Sequence, residues 1–402
     1  MKNFVQSTFV LNSKSKSGSH IFVSTNFVAI LFMLPFIIGS IRNIITTHHW
    51  FADFEALSCA GEMSSHKLSP YIQPVVCDNA QPTIFVYPPA IANFLSTIQT
   101  HFGLSLEIAV YGFVFFAITS QILRLLILPD KYRILRAPFY GEIPGSALPS
   151  GNISIILHGL IFLQATYFGA RPFLLVPLVV LATIIKPTFA VYFALFLFTD
   201  RPMKERFALI FFGVTCVLIY FLQLEYFDPG AFSAWQLAAH NSAFFADHGN
   251  SFLGLPFVET IKSLSLLLFL YGIFVMVLLI AGLSISELCL ENQAQKYQIG
   301  IAVCLLLYPR LMSYDLLTLP FGLAVAAGSF VKFKRFQASH LTYIIQFTCG
   351  ILILIGGRAG ERLLFDFYCL LVLGLGTFAI YMKYEEKNFV NDKTTDVISQ
   401  ST

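Results

Sequence analysis

The chain has 402 residues, of which 56% are apolar and only 12% are charged, and its formal net charge is +3. A soluble domain carries about 25% charged residues, so this chain has too few charges to cover a folded surface in water. The composition excludes a soluble enzyme, a nucleic-acid-binding protein and a disordered scaffold. Apolar runs of roughly 18 residues or more, long enough to cross about 30 Å of hydrocarbon, recur along the chain and predict an all-α polytopic membrane protein.

The first apolar run, 21–41, is longer than the core of a signal peptide and lacks a convincing small-residue cleavage site. We therefore expect it to remain as the first membrane span. The polar stretch 42–104 follows and is predicted to form the first extracytoplasmic loop. It contains Cys59 and Cys77, which an oxidising compartment could join in a disulfide.

The stretch 138–199 is apolar, but it is interrupted by several prolines and by Gly151, Arg171 and Lys186. We interpret it as four short crossings, with two longer crossings as the alternative. Broken helices at membrane depth are tolerated where they line a cavity within the protein. This stretch is therefore a candidate wall of a functional site.

The apolar runs predict a bundle of about 12 membrane spans, within a range of about 10 to 13. Most Lys and Arg residues fall on one side of this arrangement, which places both termini in the cytoplasm and two polar loops, 42–104 and 225–259, outside. Residues 1–382 are predicted to form one transmembrane domain, and 383–402 a disordered cytoplasmic tail. The predicted spans are 21–41, 105–128, 138–150, 152–169, 172–185, 187–199, 207–224, 261–285, 298–309, 314–331, 340–356 and 363–382.

Asp53 lies in the first extracytoplasmic loop, beside aromatic residues. A partly desolvated carboxylate is more basic, as a general base that accepts the proton of a hydroxyl must be. Asp53 could equally be a solvated loop residue or the N-cap of a helix.

Glu55 completes an Asp-x-Glu pattern that could hold a divalent cation or orient a lipid phosphate. His49, four residues before Asp53, could orient that carboxylate or bind a metal. One carboxylate pair and a lone histidine are weak evidence for a metal, so we predict no metal site and no cofactor.

Two basic residues outside the predicted cytoplasmic loops are candidates for binding an anion. Lys186 precedes Pro187 in the interrupted stretch, where a charge is costly unless it meets a carboxylate, a phosphate or water. Arg310 lies at the outer end of a short span, with Tyr314 and Asp315 one helical turn further on, and this group suits a phosphate at the outer face. The alternatives are that Lys186 extends along its alkyl chain to the interface and that Arg310 and Asp315 form a structural ion pair.

Two further polar positions are less specific. Gly151-Asn152 interrupts a span and exposes backbone donors that could contact a ligand or form a simple turn. The loop 235–248, which includes His240, has the polar and aromatic composition of a sugar-binding surface, or of an ordinary exposed loop.

The order of these motifs along 45–320 resembles the GT-C glycosyltransferases. It is most similar to family 87, which includes polyprenyl-phosphate-mannose-dependent mannosyltransferases. Many members of that family carry His where Tyr314 or Asp315 aligns, and the chain departs from the family there. The motifs are Asp53-Phe54-Glu55, Gly61, Ser69-Pro70-Tyr71, Tyr87-Pro88-Pro89, Gly151-Asn152, Lys186-Pro187 and Pro309-Arg310 with Tyr314-Asp315.

The resemblance implies an inverting transfer of a hexose, mannose by default, from a polyprenyl-phosphate donor to a hydroxyl of a lipid or glycan acceptor. The transfer would occur at the outer face of a bacterial inner membrane, with Asp53 as general base and with Lys186 and Arg310 binding the donor phosphate. Two alternatives are a transporter or flippase of a lipid-linked glycan, and a different membrane enzyme such as a glycan polymerase or an acyltransferase, for which His158 is the main candidate. Further substrate contacts are expected from Glu55, His49, Tyr87, Asn152, His240, Tyr314 and Asp315.

Overall fold

The regular secondary structure of the described residues is helical apart from one isolated β-bridge. The structure is a computed structural model that describes 18–46, 51–71, 77, 85–128, 132–142, 145, 147–245, 249–330, 338–355 and 357–400. The α-helices are α1 (Gly18–Thr46), α2 (Ala52–Ser65), α3 (Pro89–Phe102), α4 (Leu104–Ile127), α5 (Arg133–Arg136), α6 (Ala147–Ser150), α7 (Ile153–Phe168), α8 (Leu175–Ile185), α9 (Met203–Phe227), α10 (Pro229–Phe245), α11 (Pro256–Glu259), α12 (Leu264–Cys289), α13 (Gln293–Leu306), α14 (Leu319–Phe330), α15 (Ala338–Ile355) and α16 (Gly357–Gln400). The 3-10 helices are Ala137–Glu142, Pro172–Leu174, Pro187–Phe198, Phe252–Gly254 and Ser313–Thr318.

Four helices in the described part of the chain are long and apolar enough to cross a membrane: α4, α9, α12 and the Gly360–Glu385 part of α16. These helices have large exposed apolar side chains. Phe113 on α4 and Phe211 on α9, for example, are 76% and 74% exposed. Contiguous exposed apolar surface is suited to contact with lipid rather than with water. The prediction of an all-α membrane protein is therefore confirmed, whereas the number of crossings stays a prediction.

A set of shorter elements lies in the middle of the bundle: α7, α8, α13 and the 3-10 helix Pro187–Phe198. Their lengths correspond to roughly 24, 16, 21 and 24 Å, less than the about 30 Å of a hydrocarbon core. Other helices cover them, so that Phe162, Val179, Phe196 and Val303 are fully buried. Each of these elements is therefore shorter than a full membrane crossing and is covered by other helices.

The interruptions predicted for 138–199 occur in the structure. Pro172 and Pro187 each begin a 3-10 helix, because the ring of proline fits the first turn of a helix and blocks its continuation from the preceding residue. The stretch 138–150 is not one continuous helix. Its described residues contain the 3-10 helix Ala137–Glu142 and α6, since prolines and glycines recur in this stretch, and its crossing of the membrane stays a prediction.

The two polar stretches contain helices of their own at one end of the bundle. In the first, α2 and α3 pack against each other through a small core that includes Phe54, Leu57 and Ala60. A disulfide joins Cys59 and Cys77, as the sequence analysis considered. The second stretch contains α10 and α11. We call this end of the bundle the site end, because Asp53 lies there at the start of α2.

The last helix, α16, extends through residues for which the sequence predicted disorder. The prediction covered 383–402, and the structure continues the helix to Gln400.

A network of ion pairs joins three elements at the end opposite the site end. Arg206 Nη1 lies 2.7 Å from Glu287 Oε1, and Lys296 Nζ lies 2.6 Å from Asp200 Oδ1 and 3.7 Å from Glu287 Oε2. Lys296 is only 7% exposed, so its charge depends on these carboxylates. The network connects α9, α12 and the start of α13, and Arg206 also donates to the carbonyl of Leu197 at 2.5 Å.

We expect Glu287→Ala to lower the free energy of unfolding by about 1–2 kcal/mol, because it leaves two largely buried cations with fewer partners while Glu287 itself is partly solvated. Thermal unfolding of the purified protein in detergent measures the effect. Glu205→Ala is the matched control, since Glu205 pairs with Arg201 at 3.8 Å on an exposed surface and should cost less than about 0.5 kcal/mol. Equal losses for the two variants would contradict a structural role for the network.

Candidate functional site

The break before α7 positions Asn152 against Asp53. Asn152 Oδ1 accepts a hydrogen bond from Ser154 N at 2.8 Å and so caps α7, while its Nδ2 donates to Asp53 Oδ2 at 2.9 Å. Gly151 has φ +60°, and a Cβ atom there would lie 1.9 Å from the Phe51 ring. The Gly-Asn pair is thus both a turn and a contact with the candidate base.

Backbone contacts hold the start of α2 in this place. Phe51 N donates to Pro149 O at 2.8 Å, and the Tyr111 hydroxyl donates to Gly151 O at 2.6 Å. The ring of Tyr111 stacks on Phe54 with centroids 4.1 Å apart. The helix that carries Asp53 is therefore fixed to both α4 and the turn before α7.

Burial raises the pKa of Asp53 above the usual value of a carboxyl group. The hydrogen bond from Asn152 and the positive charges of Lys186 and Arg310 act in the opposite direction, and the negative charge of Asp315 adds to the rise. The carboxylate of Asp53 therefore has a raised affinity for a proton while cations lie nearby, which is the combination that a general base for a hydroxyl requires.

Lys186 ends α8 and extends into the protein. Its Nζ donates to Ser154 Oγ at 2.5 Å and lies 5.8 Å from the centre of the Tyr314 ring. A chain extended to the interface would not make these contacts, so the geometry favours the interpretation in which Lys186 lies inside a site.

Asp315 is completely buried, and both of its oxygens have donors. His158 Nε2 lies 3.1 Å from Oδ1, and Met312 N donates to Oδ2 at 3.0 Å. The sequence predicts that Asp315 contacts substrate or pairs with Arg310. Since both oxygens already have donors within the protein, Asp315 has a structural role in the site.

His158 connects Asp315 to Tyr192, whose hydroxyl lies 2.7 Å from His158 Nδ1. A carboxylate only accepts, so Nε2 carries the proton that is donated to Asp315, and Nδ1 of a neutral imidazole then accepts from Tyr192. One protonation pattern therefore satisfies every hydrogen bond of this buried chain. We call Tyr192, His158 and Asp315 the buried relay.

Arg310 is attached to the second polar stretch. Its Nη1 lies 3.3 Å from Ser242 Oγ on α10. The backbone on either side of Arg310 is also held: Ser251 Oγ donates to Pro309 O at 2.7 Å, and Asn250 N donates to Leu311 O at 2.7 Å. The position of the guanidinium group thus depends on Ser242, Asn250 and Ser251.

Tyr87 contributes a buried phenol from the first polar stretch. Its backbone oxygen accepts from the Tyr71 hydroxyl at 2.8 Å. Burial raises the pKa of Tyr87, the charges of Asp53 and Asp315 raise it further, and Arg310 lowers it. Tyr87 therefore lies within electrostatic range of the other site residues.

The structure brings Asp53, Asn152, Lys186 and Tyr314 together, and we call these four the Asp53 cluster. Glu55 is two positions from Asp53 on α2, and residues i and i+2 of a helix do not face each other. The Asp-x-Glu pattern is therefore not a carboxylate pair.

Two of the expected substrate contacts are not among these four. His240 is exposed on α10, two positions before Ser242, and the prediction for His49 falls outside the described residues. Within the described residues there is no group of three or more His, Cys, Asp and Glu side chains placed to hold a metal ion.

Sequence reasoning missed Ser154 as a site residue and considered His158 only for an acyltransferase. Both lie on α7, four positions apart, and therefore share a helix face. Ser154 contacts Lys186 and His158 contacts Asp315, so this face meets two charged residues. The available signal was the pair of polar residues at this spacing in an otherwise apolar run.

Comparison with known proteins gives no match: no family model, no curated protein and no solved structure matches the chain. The resemblance to glycosyltransferase family 87 stays a prediction that depends on the motifs and their order.

We expect His158→Ala to cost about 2–3 kcal/mol of stability, because it leaves a buried carboxylate oxygen of Asp315 without its donor. Tyr192→Phe removes only the outer hydrogen bond of the buried relay and should cost about 1 kcal/mol. Thermal unfolding of both variants in one detergent measures the difference. A Tyr192→Phe variant that is as unstable as His158→Ala would contradict the order of the relay.

Proposed function

We propose that the protein is a membrane glycosyltransferase that moves a hexose, mannose by default, from a polyprenyl-phosphate donor to a hydroxyl of a lipid or glycan acceptor. The observation that carries this proposal is the position of Asp53. Its half-buried carboxylate has a raised pKa, and the positive charges of Lys186 and Arg310 stabilise its ionised form. A base for a hydroxyl and cations for a phosphate leaving group are the two requirements of such a transfer.

In the proposed reaction, the acceptor oxygen attacks the anomeric carbon of the donor sugar and its proton passes to Asp53. The bond between that carbon and the phosphate oxygen breaks, and the configuration of the carbon inverts. Polyprenyl phosphate leaves with the electron pair, and Lys186 and Arg310 stabilise its charge. Asn152 keeps the carboxylate of Asp53 oriented through the hydrogen bond to Oδ2.

In this mechanism, Asp315 of the buried relay balances the positive charge of Lys186. Such a balance is needed among apolar helices when no phosphate is bound. Asp315 supplies a fixed negative charge that lies too deep to reach the substrate.

We also propose that the site end faces the outside of the cell inner membrane and that both termini are cytoplasmic. The disulfide between Cys59 and Cys77 supports this orientation, because disulfides persist in oxidising compartments. The basic residues Arg201, Arg206 and Lys296 at the opposite end agree with a cytoplasmic face.

A transporter or flippase would need a path that opens in turn to each end of the bundle. Apolar side chains such as Phe196, Val303 and Leu306 fill the central elements, and the Asp53 cluster lies at the site end. This distribution of polar groups fits a site that is reached from one end.

We expect Asp53→Asn to lower transfer by about 100-fold or more, because an amide cannot accept the hydroxyl proton. The assay uses purified protein in lipid, labelled polyprenyl-phosphate mannose and a lipid extract as acceptor, and then a panel of other polyprenyl-phosphate sugars. Glu62→Gln, an exposed acidic residue on the same helix, is the control and should retain wild-type activity. Wild-type activity in Asp53→Asn would remove Asp53 as the base, and a wild type inactive with every donor would remove the proposed function.

Transfer should decline as the pH falls through the pKa of Asp53, because only the charged carboxylate is a base. Asn152→Ala removes a hydrogen bond that lowers this pKa, so the acid limb of the profile of kcat/KM against pH should move to higher pH. The same variant loses the cap of α7, worth about 1 kcal/mol, and is assayed well below its Tm. An acid limb that stays in place or moves to lower pH would contradict this role for Asn152.

A further inference from the structure

We propose that a groove at the end opposite the site end binds one phospholipid whose zwitterionic headgroup ends in a primary ammonium, as in phosphatidylethanolamine. The groove has a volume of about 350 Å³ and lies between the 3-10 helix Pro172–Leu174 and the start of α9. Its lining contains none of the residues of the Asp53 cluster. The inference therefore does not depend on the proposed function.

The polarity of the groove changes from one end to the other. Arg201 and Glu205 are the charged residues of its lining and lie at the start of α9. Ala208, Leu209 and Phe212 follow on the same face of the helix, because they are three, four and seven positions beyond Glu205. Seven residues of helix correspond to about 10 Å, and half of a bilayer contains about 15 Å of hydrocarbon. The groove thus matches a charged headgroup followed by the first part of an acyl chain.

The apolar end of the groove is on the lipid-facing surface of the protein. Phe173 and Phe212 line it and are 58% and 62% exposed. Phe207 and Phe211, also on α9, are exposed as well, and α9 is long and apolar enough to cross a membrane. Such a surface is suited to contact with lipid. A water-soluble ligand would have to displace lipid from this end, whereas a phospholipid can enter the groove from within its own leaflet.

Hydrogen bonds to the backbone hold both walls of the groove. Arg206 Nε donates to the carbonyl of Arg201 at 2.7 Å, and Arg206 is itself paired with Glu287. On the other wall, Gln164 Nε2 donates to the carbonyl of Leu174 at 2.8 Å and so fixes the 3-10 helix. A site whose walls are held before the ligand arrives loses less entropy on binding.

The charged end of the groove is complementary to a zwitterionic headgroup. Arg201 Nη1 lies 3.8 Å from Glu205 Oε2, which is too long for a hydrogen bond, and the two side chains are 48% and 55% exposed. Each can therefore contact a further group. A guanidinium donates two parallel hydrogen bonds to a phosphate, and a carboxylate accepts from an ammonium. Phosphatidylethanolamine carries both of these charges, joined by a short linker.

Glu205 is the residue that distinguishes one phospholipid from another. Arg171 and Lys204 are exposed, lie outside the lining and attract the phosphate of any phospholipid. The carboxylate of Glu205 repels an anionic headgroup that lacks an ammonium, such as that of phosphatidylglycerol. The ammonium of phosphatidylcholine is methylated and has no N–H to donate. A primary ammonium both neutralises Glu205 and donates to it.

Ala208 gives a way to obstruct the groove without entering the core. It is exposed and lines the groove between the charged and the aromatic ends, so a larger side chain there fills the groove. Ala109 is also exposed, is the sixth residue of α4 as Ala208 is of α9, and is not part of the lining. Ala109→Phe is therefore a matched control for Ala208→Phe. A third variant, Glu205→Gln, removes the charge and keeps the shape.

The experiment measures lipid binding and requires no enzymatic activity. Full-length wild type and the three variants are freed of lipid in detergent, and the first bound lipid is followed by native mass spectrometry. The titrants are phosphatidylethanolamine, phosphatidylcholine and phosphatidylglycerol with identical acyl chains. We expect wild type and Ala109→Phe to bind phosphatidylethanolamine about tenfold more tightly than the other two lipids. Glu205→Gln and Ala208→Phe should lose this preference.

Equal affinity of wild type for the three lipids would overturn the proposal, and so would tighter binding of phosphatidylglycerol or phosphatidylcholine. A preference that persists in folded Glu205→Gln or Ala208→Phe would place the lipid elsewhere and overturn it as well. Loss of the preference in Ala109→Phe would show that any added phenyl group on a membrane helix disturbs binding, which also contradicts the groove. Glu205→Gln changes one exposed side chain, so it decides the matter if Ala208→Phe does not fold.

Discussion

The charge of Lys186, which lies among apolar helices, is the constraint on which the rest of this structure depends. Lys186 stands at the end of α8 in a bundle of apolar helices, where an unpaired cation would be costly. Asp315 balances that charge, and His158 and Met312 hold Asp315 in turn. The short helices, the 3-10 segment and the turn after α13 bring these groups together, and Asn152 connects them to Asp53 at the start of α2.

The long helices follow directly from the sequence, because the backbone N–H and C=O groups of a long apolar run must pair with one another in lipid, and a helix pairs all of them. The interruptions at Pro172 and Pro187 were also predictable, since proline restricts its own φ angle wherever it stands. In the stretch 138–150, recurrent proline and glycine leave two short helical pieces, of 6 and 4 residues, rather than one helix. Composition within a window indicates apolar character but does not show whether a helix persists through it.

The candidate site was predictable only in part. Asp53 and Lys186 were recognisable because each is a charge beside apolar or aromatic sequence. The partners of these residues were not, since they come from distant parts of the chain: Asn152 is 99 positions from Asp53, and His158 is 157 positions from Asp315. A single sequence carries no record of such pairings. The prediction that Asp315 contacts substrate was wrong because the residue is buried by helices whose positions cannot be read from sequence spacing.

The contacts of Arg310 with Ser242, Asn250 and Ser251 have a thermodynamic consequence. Hydrogen bonds on both sides of Arg310 and on its side chain connect it to these three residues, so a displacement of Arg310 would break them. An anion that bound Arg310 only in this arrangement would stabilise the same contacts. Linkage is reciprocal, and anything that stabilised these contacts would increase the affinity for the anion by the same factor. The residues that position Arg310 would in this sense contribute to anion affinity without touching the anion.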